Sequence, residues 1–597
     1  MSNARLEALR TRMKEAGISV YMIPTDDFHG SEYVSDYFKC RMFVTEFTGS
    51  AGTAVVSMTE AGLFTDGRYF LQAEKQLEGS GFTLFRSGEK GVPRVTEWIE
   101  TILPEGGTLG FDGRVVTGAT GRTLEKIAEK KHGKVESGLD LVGDIWDDRP
   151  ELPKEKAWIL DLKYAGESVS DKLDRIRSSM RDDGADLHLL TSLDDIMWTL
   201  NLRGNDVKHC PVTLSYLSIG SEDACFYVQS EALTEEVRAY LNENGIGVKP
   251  YEAVYEDAKR WNEENHTVLL DPNKVNDLLM RLLSGTKRVE KTNPEILMKA
   301  CKNPTELANI RRAHLEDGIA ITKWIFWLKE NAGKIPMTEI SVSEKLAGFR
   351  ASRPGFLDLS FETIAGYKEH GAIIHYCATE ESDKEIRPES FLLVDSGGHY
   401  VYGSTDITRT IAMGPLTEEE KESFTLVLKC HLALLPLVFA EGCSGMNFDL
   451  LVREPLWERG LDYRHGTGHG VGYLLSVHEP PNGFRYKMVP ERNDYALIKE
   501  GMVTTDEPGL YVEGKYGIRT ESELACVRAE ETEFGQFLKF ENLTFCPIDL
   551  DAVVPSMLTE KEKETLNRYH EAVYEALSPY MTEKENEWLK KETRRIS

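Results

Sequence analysis

The sequence predicts a mixed α/β (α+β) chain: two tandem α/β domains, followed by a larger domain of long helices and strand-rich stretches. Three observations predict it. The 597 residues are too many for one hydrophobic core. Strand-like and helical runs alternate over residues 1–150, and the same plan recurs over 151–292. Beyond that point, long helical patterns separate strand-rich stretches that hold nearly all the unusual polar residues.

The first domain opens with a helical stretch from Arg5 and an apolar strand-type run, Ile18 to Ile23. Further strands are expected at Gly52 to Met58 and Thr83 to Phe85, with a helix over Arg68 to Leu77. Asp147 to Lys156 holds Pro150, Pro153 and several charges and reads as a linker. In the second domain Ser170 is the expected cap of a helix through Met180, and His188 to Leu190 begins a strand. Asp194-Asp195 follows that strand as Asp26-Asp27 follows the first, which suggests two copies of one domain.

The third domain starts near Thr292. Asn303-Pro304-Thr305-Glu306 combines an N-cap Asn with proline at the first helical position, and a long helix to about Lys329 follows. A second helix is expected over Ser341 to Arg350. A third starts at the capping box Thr417-Glu418-Glu419-Glu420 and is expected to run to Gly442. The tail after Asp549 is charged and helical, with Thr559 as its cap. The expected domains are therefore 1–150, 151–292 and 293–548, with an extension at 549–597.

Composition excludes several functions. The 99 acidic against 71 basic side chains give a net charge of -28, which repels phosphate backbones, so no nucleic-acid partner is expected. Nine scattered cysteines contain no C-x-x-C pair, which argues against a disulfide framework or a zinc ribbon. The N-terminus shows no apolar signal core, and the most apolar stretch, Leu432 to Ala440, is short and broken by Pro436. A cytoplasmic protein without a membrane partner is expected.

The chemistry concentrates in four stretches. Phe391 to Val394 is an apolar strand that ends on Asp395 before a glycine turn, and the next strand, His399 to Ile411, carries Asp406. A hairpin can bring these carboxylates together, and two crowded carboxylates repel unless a cation lies between them. Asp395 also suits a plain turn. His465-Gly466-Thr467-Gly468-His469-Gly470-Val471-Gly472 is too glycine-rich for a helix, so it is an extended loop that lets ligands or substrate approach the backbone. The third-glycine position of a dinucleotide loop is not met, since Val471 and Tyr473 stand there. His478 follows. Thr505-Asp506-Glu507-Pro508-Gly509 and Gly517-Ile518-Arg519-Thr520-Glu521 add two carboxylates. A surface turn accounts for Glu507 alone, and an exposed strand pair accounts for Arg519 with Glu521.

Together, Asp, Asp, His, Glu and Glu on successive strand ends are what a dinuclear hydrolase needs. Oxygen-rich ligands with one imidazole suit Mn(II), Co(II), Fe(II) or Zn(II). Two ions ~3.5–4 Å apart can share carboxylates and bring the pKa of water from about 16 to roughly 7. No H-E-x-x-H, G-x-S-x-G or Walker loop competes.

Asp395, Asp406, His469, Glu507 and Glu521, with their flanking Gly-Thr-Gly-His-Gly-Val-Gly and Thr-Asp-Glu-Pro-Gly, resemble the five metal ligands of the pita-bread metallopeptidases. That family includes methionine aminopeptidase, prolidase and aminopeptidase P. Phe361 to Ile364, Gly371 to Tyr376, Thr65 to Ala73 and the C-terminal Trp588-Leu589-Lys590 resemble its long, cytosolic three-domain form. The resemblance covers nearly the whole chain and is weaker through the second domain. It implies two creatinase-N-like domains followed by a pita-bread catalytic domain.

The resemblance also implies roles. Asp395 would chelate one ion, Asp406 and Glu521 would bridge two, and His469 and Glu507 would complete the shells. Glu507 would also accept the proton of the bridging water. His375, His465 and His478 match substrate-handling histidines, Arg68 would reach substrate from the first domain, and Arg519 would orient ligand carboxylates. The implied reaction is hydrolysis of the N-terminal Xaa-Pro bond of peptides through a hydroxide bridging two divalent metal ions. Manganese is the first choice of metal, and the implied assembly is a homodimer. A prolidase would share all five ligands and cleave only dipeptides. A non-catalytic, partner-binding member would have broken ligands, and none is broken here.

Overall fold

The computed structural model describes residues 2–488 and 495–597. The chain divides into two compact units: Met1–Asp161 with Glu167–Glu295, and Leu162–Gly166 with Ile296–Ser597.

The first unit holds two six-stranded sheets among the described residues. One runs in the spatial order Thr83–Arg86, Ala61–Thr65, Thr53–Ser57, Val20–Pro24, Thr108–Gly110, Lys134–Glu136. The other runs Ile246–Pro250, Ala224–Val228, Ser215–Gly220, Leu187–Leu190, Thr267–Leu270, Lys287–Glu290. Matching neighbours pair with the same sense in both. Val20–Pro24 is antiparallel to Thr53–Ser57 and parallel to Thr108–Gly110, and Leu187–Leu190 repeats this with Ser215–Gly220 and Thr267–Leu270. The duplicated plan is thus a duplicated topology.

Burial explains the unbroken apolar run in the first central strand. Tyr21 and Ile23 pack into one core while Val20 and Met22 pack into another on the opposite face. A strand covered on both sides shows no polar alternation. The two sheets belong to one unit: Asp277 N donates to Val116 O and Gly118 N to Val275 O, both at 2.8 Å. The cap of the helix Val169–Asp182 is Ser168, not Ser170, and its side chain accepts the N–H of Asp171. The first serine wins because it alone has the extended backbone that an N-cap needs; Ser170 is already helical.

In the second unit Asn303 caps the helix Pro304–Asn331 as expected. Its Oδ1 accepts from Thr305 N and Glu306 N, and Glu306 returns a bond to Asn303 N. The helix from Glu418 ends at Leu432, ten residues short of the expected Gly442. Pro436 cannot continue it, and Val438–Ala440 is a strand. The region expected as one strand from His399 to Ile411 is split into Gly398–Tyr400, Gly403–Ser404 and Ile407–Ala412. The apolar run Ala372-Ile373-Ile374, which reads as a strand leading to His375, forms none: Lys368–Ala372 is a 3₁₀ helix, followed by a turn.

Three antiparallel strands, Ile364–Tyr367, Phe391–Ser396 and Ile407–Ala412, form one sheet of this unit. A larger one orders Val438–Ala440, Gly535–Asn542, Ser522–Thr532, Val503–Asp506, Gly468–Gly470 and Glu479–Phe484. In the extension, the helix Glu560–Leu577 buries Leu566, Val573 and Leu577 in the same core as Ile518, Leu524 and Cys526. Among the described residues, no helix is long and apolar enough to cross a membrane.

Candidate active site

The five candidate ligands sit where these strands begin or end. Asp395 lies in Phe391–Ser396, paired with Thr408, and Asp406 immediately precedes Ile407–Ala412. His469 is the centre of Gly468–Gly470, Glu507 follows Val503–Asp506, and Glu521 stands between Tyr516–Arg519 and Ser522–Thr532.

The glycines around His469 make room for the protein itself, where the sequence suggested room for ligand or substrate. A Cβ on Gly468 would lie 1.8 Å from Thr505 O, and one on Gly470 would lie 2.2 Å from Glu479 O. Only a bare backbone lets these strands close on the histidine from both sides. Behind the loop, buried Asp449 accepts from Thr467 Oγ1 and pairs with Arg453, which donates to His465 O at 2.6 Å.

Ligand atoms of Asp406, His469 and Glu521 all lie within 4.8 Å of one another. His469 Nε2 is 3.5 Å from Asp406 Oδ2 and 3.6 Å from Glu507 Oε1. Its Nδ1 is 2.9 Å from Gly470 O and must donate to it, which leaves Nε2 free of a proton in the neutral ring and aimed at the carboxylates. Glu521 Oε2 accepts from Thr408 Oγ1 at 2.6 Å, and Asp395 Oδ2 accepts from Arg519 Nη2 at 2.6 Å. The backbone of Asp406 is fixed by Glu523, whose Oε1 accepts its N–H at 2.7 Å and whose Oε2 faces His314 Nε2 at 3.2 Å.

Crowding marks the electrostatics. Burial and the neighbouring Asp395 and Glu507 push Asp406 up to about 7 despite His469. Burial, then Asp406, Asp395 and Glu507, drive Glu521 well above the usual carboxylate range. Burial lowers His469, but Asp406 and Glu507 override it and carry the imidazole to about 9. Asp395 Oδ1 is buried without a hydrogen-bond partner. Four carboxylates, one imidazole with an inward nitrogen and an orphaned carboxylate oxygen fit a pair of divalent cations. Cations there would remove the repulsion that these groups feel.

The other predicted residues divide. His478 is edge-on to His469, with ring centroids 4.3 Å apart. His465 lies with Nδ1 3.8 Å from Glu507 Oε2 and Nε2 2.8 Å from the Tyr511 hydroxyl. Burial, then Arg519, keeps His465 well below its usual value. His375 is half-buried in the turn after the 3₁₀ helix. Arg68 belongs to the first unit, where Asp66 accepts from its Nε at 2.8 Å and from its Nη2 at 2.7 Å.

Sequence reasoning missed Tyr511, Glu523, His314 and Thr408. Tyr511 accepts from Arg519 Nη1 at 2.8 Å and so donates to His465 Nε2, which links two predicted residues. No motif flags a tyrosine in a short apolar strand. Thr408 could have been found, since it shares a strand face with Asp406, two residues away.

A model of metallopeptidase family M24 matches residues 308–528. Models of the creatinase/prolidase N-terminal domain match residues 5–140 and 148–306, and the C-terminal region of peptidase M24 matches 536–596. An aminopeptidase P2 from Arabidopsis thaliana is 39% identical, over 99% of this chain and 88% of its own length. A probable Xaa-Pro aminopeptidase P from Sordaria macrospora is 40% identical over 99% and 98%. The crystal structure of an X-prolyl aminopeptidase from Caenorhabditis elegans, described as a cytosolic enzyme with a di-nuclear active site, superposes with a TM-score of 0.95. It is 32% identical and both chains are fully covered. The fold is two creatinase-type N-terminal domains followed by a pita-bread domain.

Proposed function

The chain belongs to metallopeptidase family M24, and from that premise we propose that it is an aminopeptidase that removes the residue preceding a proline at the N-terminus of peptides. One observation carries the proposal: four carboxylates that repel one another, Asp395, Asp406, Glu507 and Glu521, converge around His469, with Asp395, Asp406 and Glu521 buried. The relatives matched over the full length support the substrate class.

These five residues would hold two divalent ions, with manganese the first candidate. When bound, such a pair would supply a hydroxide nucleophile and polarise the scissile carbonyl. Glu507 is the base: it takes the proton of the attacking water and returns it to the prolyl nitrogen as the C–N bond breaks. That nitrogen leaves as an amine only if it gains a proton as the bond breaks, and Glu507 supplies it. His375, His465 and His478 position the peptide and the developing oxyanion. Arg519 holds Asp395 by charge-assisted bonding, and Arg68 is assigned to substrate. The proposal keeps the domains 1–150, 151–292 and 293–548 with the extension 549–597, a cytoplasmic location and a homodimer.

The test is a purified protein stripped of metal, reconstituted with Mn(II) and offered an Xaa-Pro-Xaa tripeptide, an Xaa-Pro dipeptide and a tripeptide lacking proline. Release of the first residue from the Xaa-Pro-Xaa tripeptide alone, or from both proline peptides, supports the proposal. Cleavage confined to the dipeptide makes the chain a prolidase, and no cleavage by protein loaded with two ions overturns the proposal.

A further inference from the structure

We infer that Tyr569, in the helix Glu560–Leu577 of the extension, is a positioning residue for the metal centre, acting through Arg409 on Glu521. The inference rests on the proposed role of Glu521 as a metal ligand.

Glu521 is held by consecutive residues of the strand Ile407–Ala412. Thr408 Oγ1 donates to its carboxylate, and Thr408 O accepts its N–H at 3.1 Å. Arg409 Nη1 donates to the main-chain carbonyl of Glu521 and, at 2.9 Å, to Thr408 O. The N–H, the carbonyl and the side chain of Glu521 are thereby tied to the strand that follows Asp406.

The direction of Arg409 is set from behind. Its Nη2 donates to the Tyr569 hydroxyl at 2.5 Å and to Cys546 O at 3.1 Å, and Tyr569 in turn donates to Cys546 O at 2.6 Å. Arg409 and Tyr569 are 3% and 6% exposed, so water offers the guanidinium no easy substitute. The guanidinium is a rigid planar fork, and fixing Nη2 fixes where Nη1 points. A buried guanidinium that loses one acceptor turns to recover another. Here the turn would be transmitted to the carbonyl of Glu521. Tyr569 lies nearly fifty residues beyond the last ligand, in the extension that carries no chemical motif of its own.

The test reads metal affinity directly, by competition between the protein and a chelating indicator for Mn(II). Tyr569→Phe, which removes only the hydroxyl, is expected to weaken binding roughly tenfold, as loss of a supporting partner does at other metal sites. Arg409→Lys, which keeps the charge and loses the fork, is expected to weaken it as well. The double variant is then no worse than Arg409→Lys alone, because the two act in series. Asn567→Ala is the control: Asn567 shares the helix but bonds to Ile596, so it should lower the melting temperature and leave Mn(II) affinity unchanged. Equal affinity in wild type and Tyr569→Phe overturns the inference, as does an equal loss in Tyr569→Phe and Asn567→Ala. A wild-type protein that takes up no divalent ion overturns the proposed function, and this inference falls with it.

Discussion

Arg519 and Asp395 are joined at 2.6 Å, with both side chains largely buried, and the second arm of the guanidinium donates to Tyr511 at 2.8 Å. The arginine thus orients a candidate ligand and the hydroxyl that bonds His465 at once. Arg519→Lys keeps the charge but cannot span both partners. It should lower metal affinity roughly 10- to 100-fold and reduce kcat/KM further. Chelator competition with peptide kinetics measures both, and a variant with unchanged affinity would remove Arg519 from the positioning role.

Glu507 lies 3.6 Å from His469 Nε2, among the groups that would flank an attacking water. Burial raises it above the usual carboxylate range, against the pull of His469 and Arg519, which suits a proton acceptor near neutral pH. Glu507→Gln should fold with normal melting behaviour and lose ~10²–10⁴ in turnover. A metal-loaded variant that retained the wild-type rate would show that the proton goes elsewhere.

The metal-free site should be pH-sensitive in a definite direction. Asp406 is raised to about 7, so between the ordinary carboxylate value and 7 the folded chain binds more protons than the unfolded one. His469, raised to about 9, does the same between its ordinary value and 9. Both make the stripped protein less stable as pH rises through those windows. Bound ions displace those protons, so metal affinity should rise with pH over the same range. Melting curves of stripped and loaded protein at pH 5.5, 7 and 8.5 test the sign. A stripped protein that gains stability steadily across that range contradicts it.

His375 is placed in a turn, where a side chain is free of strand alternation. If it contacts the peptide, His375→Ala should cut kcat/KM by at least ~10² while two ions remain bound. Lost metal would make it part of the ligand support. Unaltered kinetics would make it structural.

That the five candidates meet at one site was legible because several stand beside residues that a tight strand end requires, such as the Gly468–His469–Gly470 run and Glu507 before Pro508. The tandem topology was legible from apolar runs, though the strand Ala61–Thr65 was missed because Gly62 breaks its pattern. A Cβ there would meet Phe85 at 2.6 Å, so the glycine serves ring packing against the edge strand. The helix Gly445–Trp457 was missed too, since it carries Pro455 in its last turn. The supports of the site stayed hidden for another reason. Glu523, His314, Arg409 and Tyr569 act across long sequence separations, and no local spacing encodes which buried charge finds which.

The tie from Tyr569 to Glu521 also orders events in time. A ribosome delivers about 5–20 residues each second, N-terminus first. Asp395 and Asp406 therefore emerge several seconds before Glu521 can face them, and the hydroxyl that steadies Arg409 comes later still. While it is being made, the nascent chain carries an unfinished site, which cannot be completed before Glu521, and after it Tyr569, have been added.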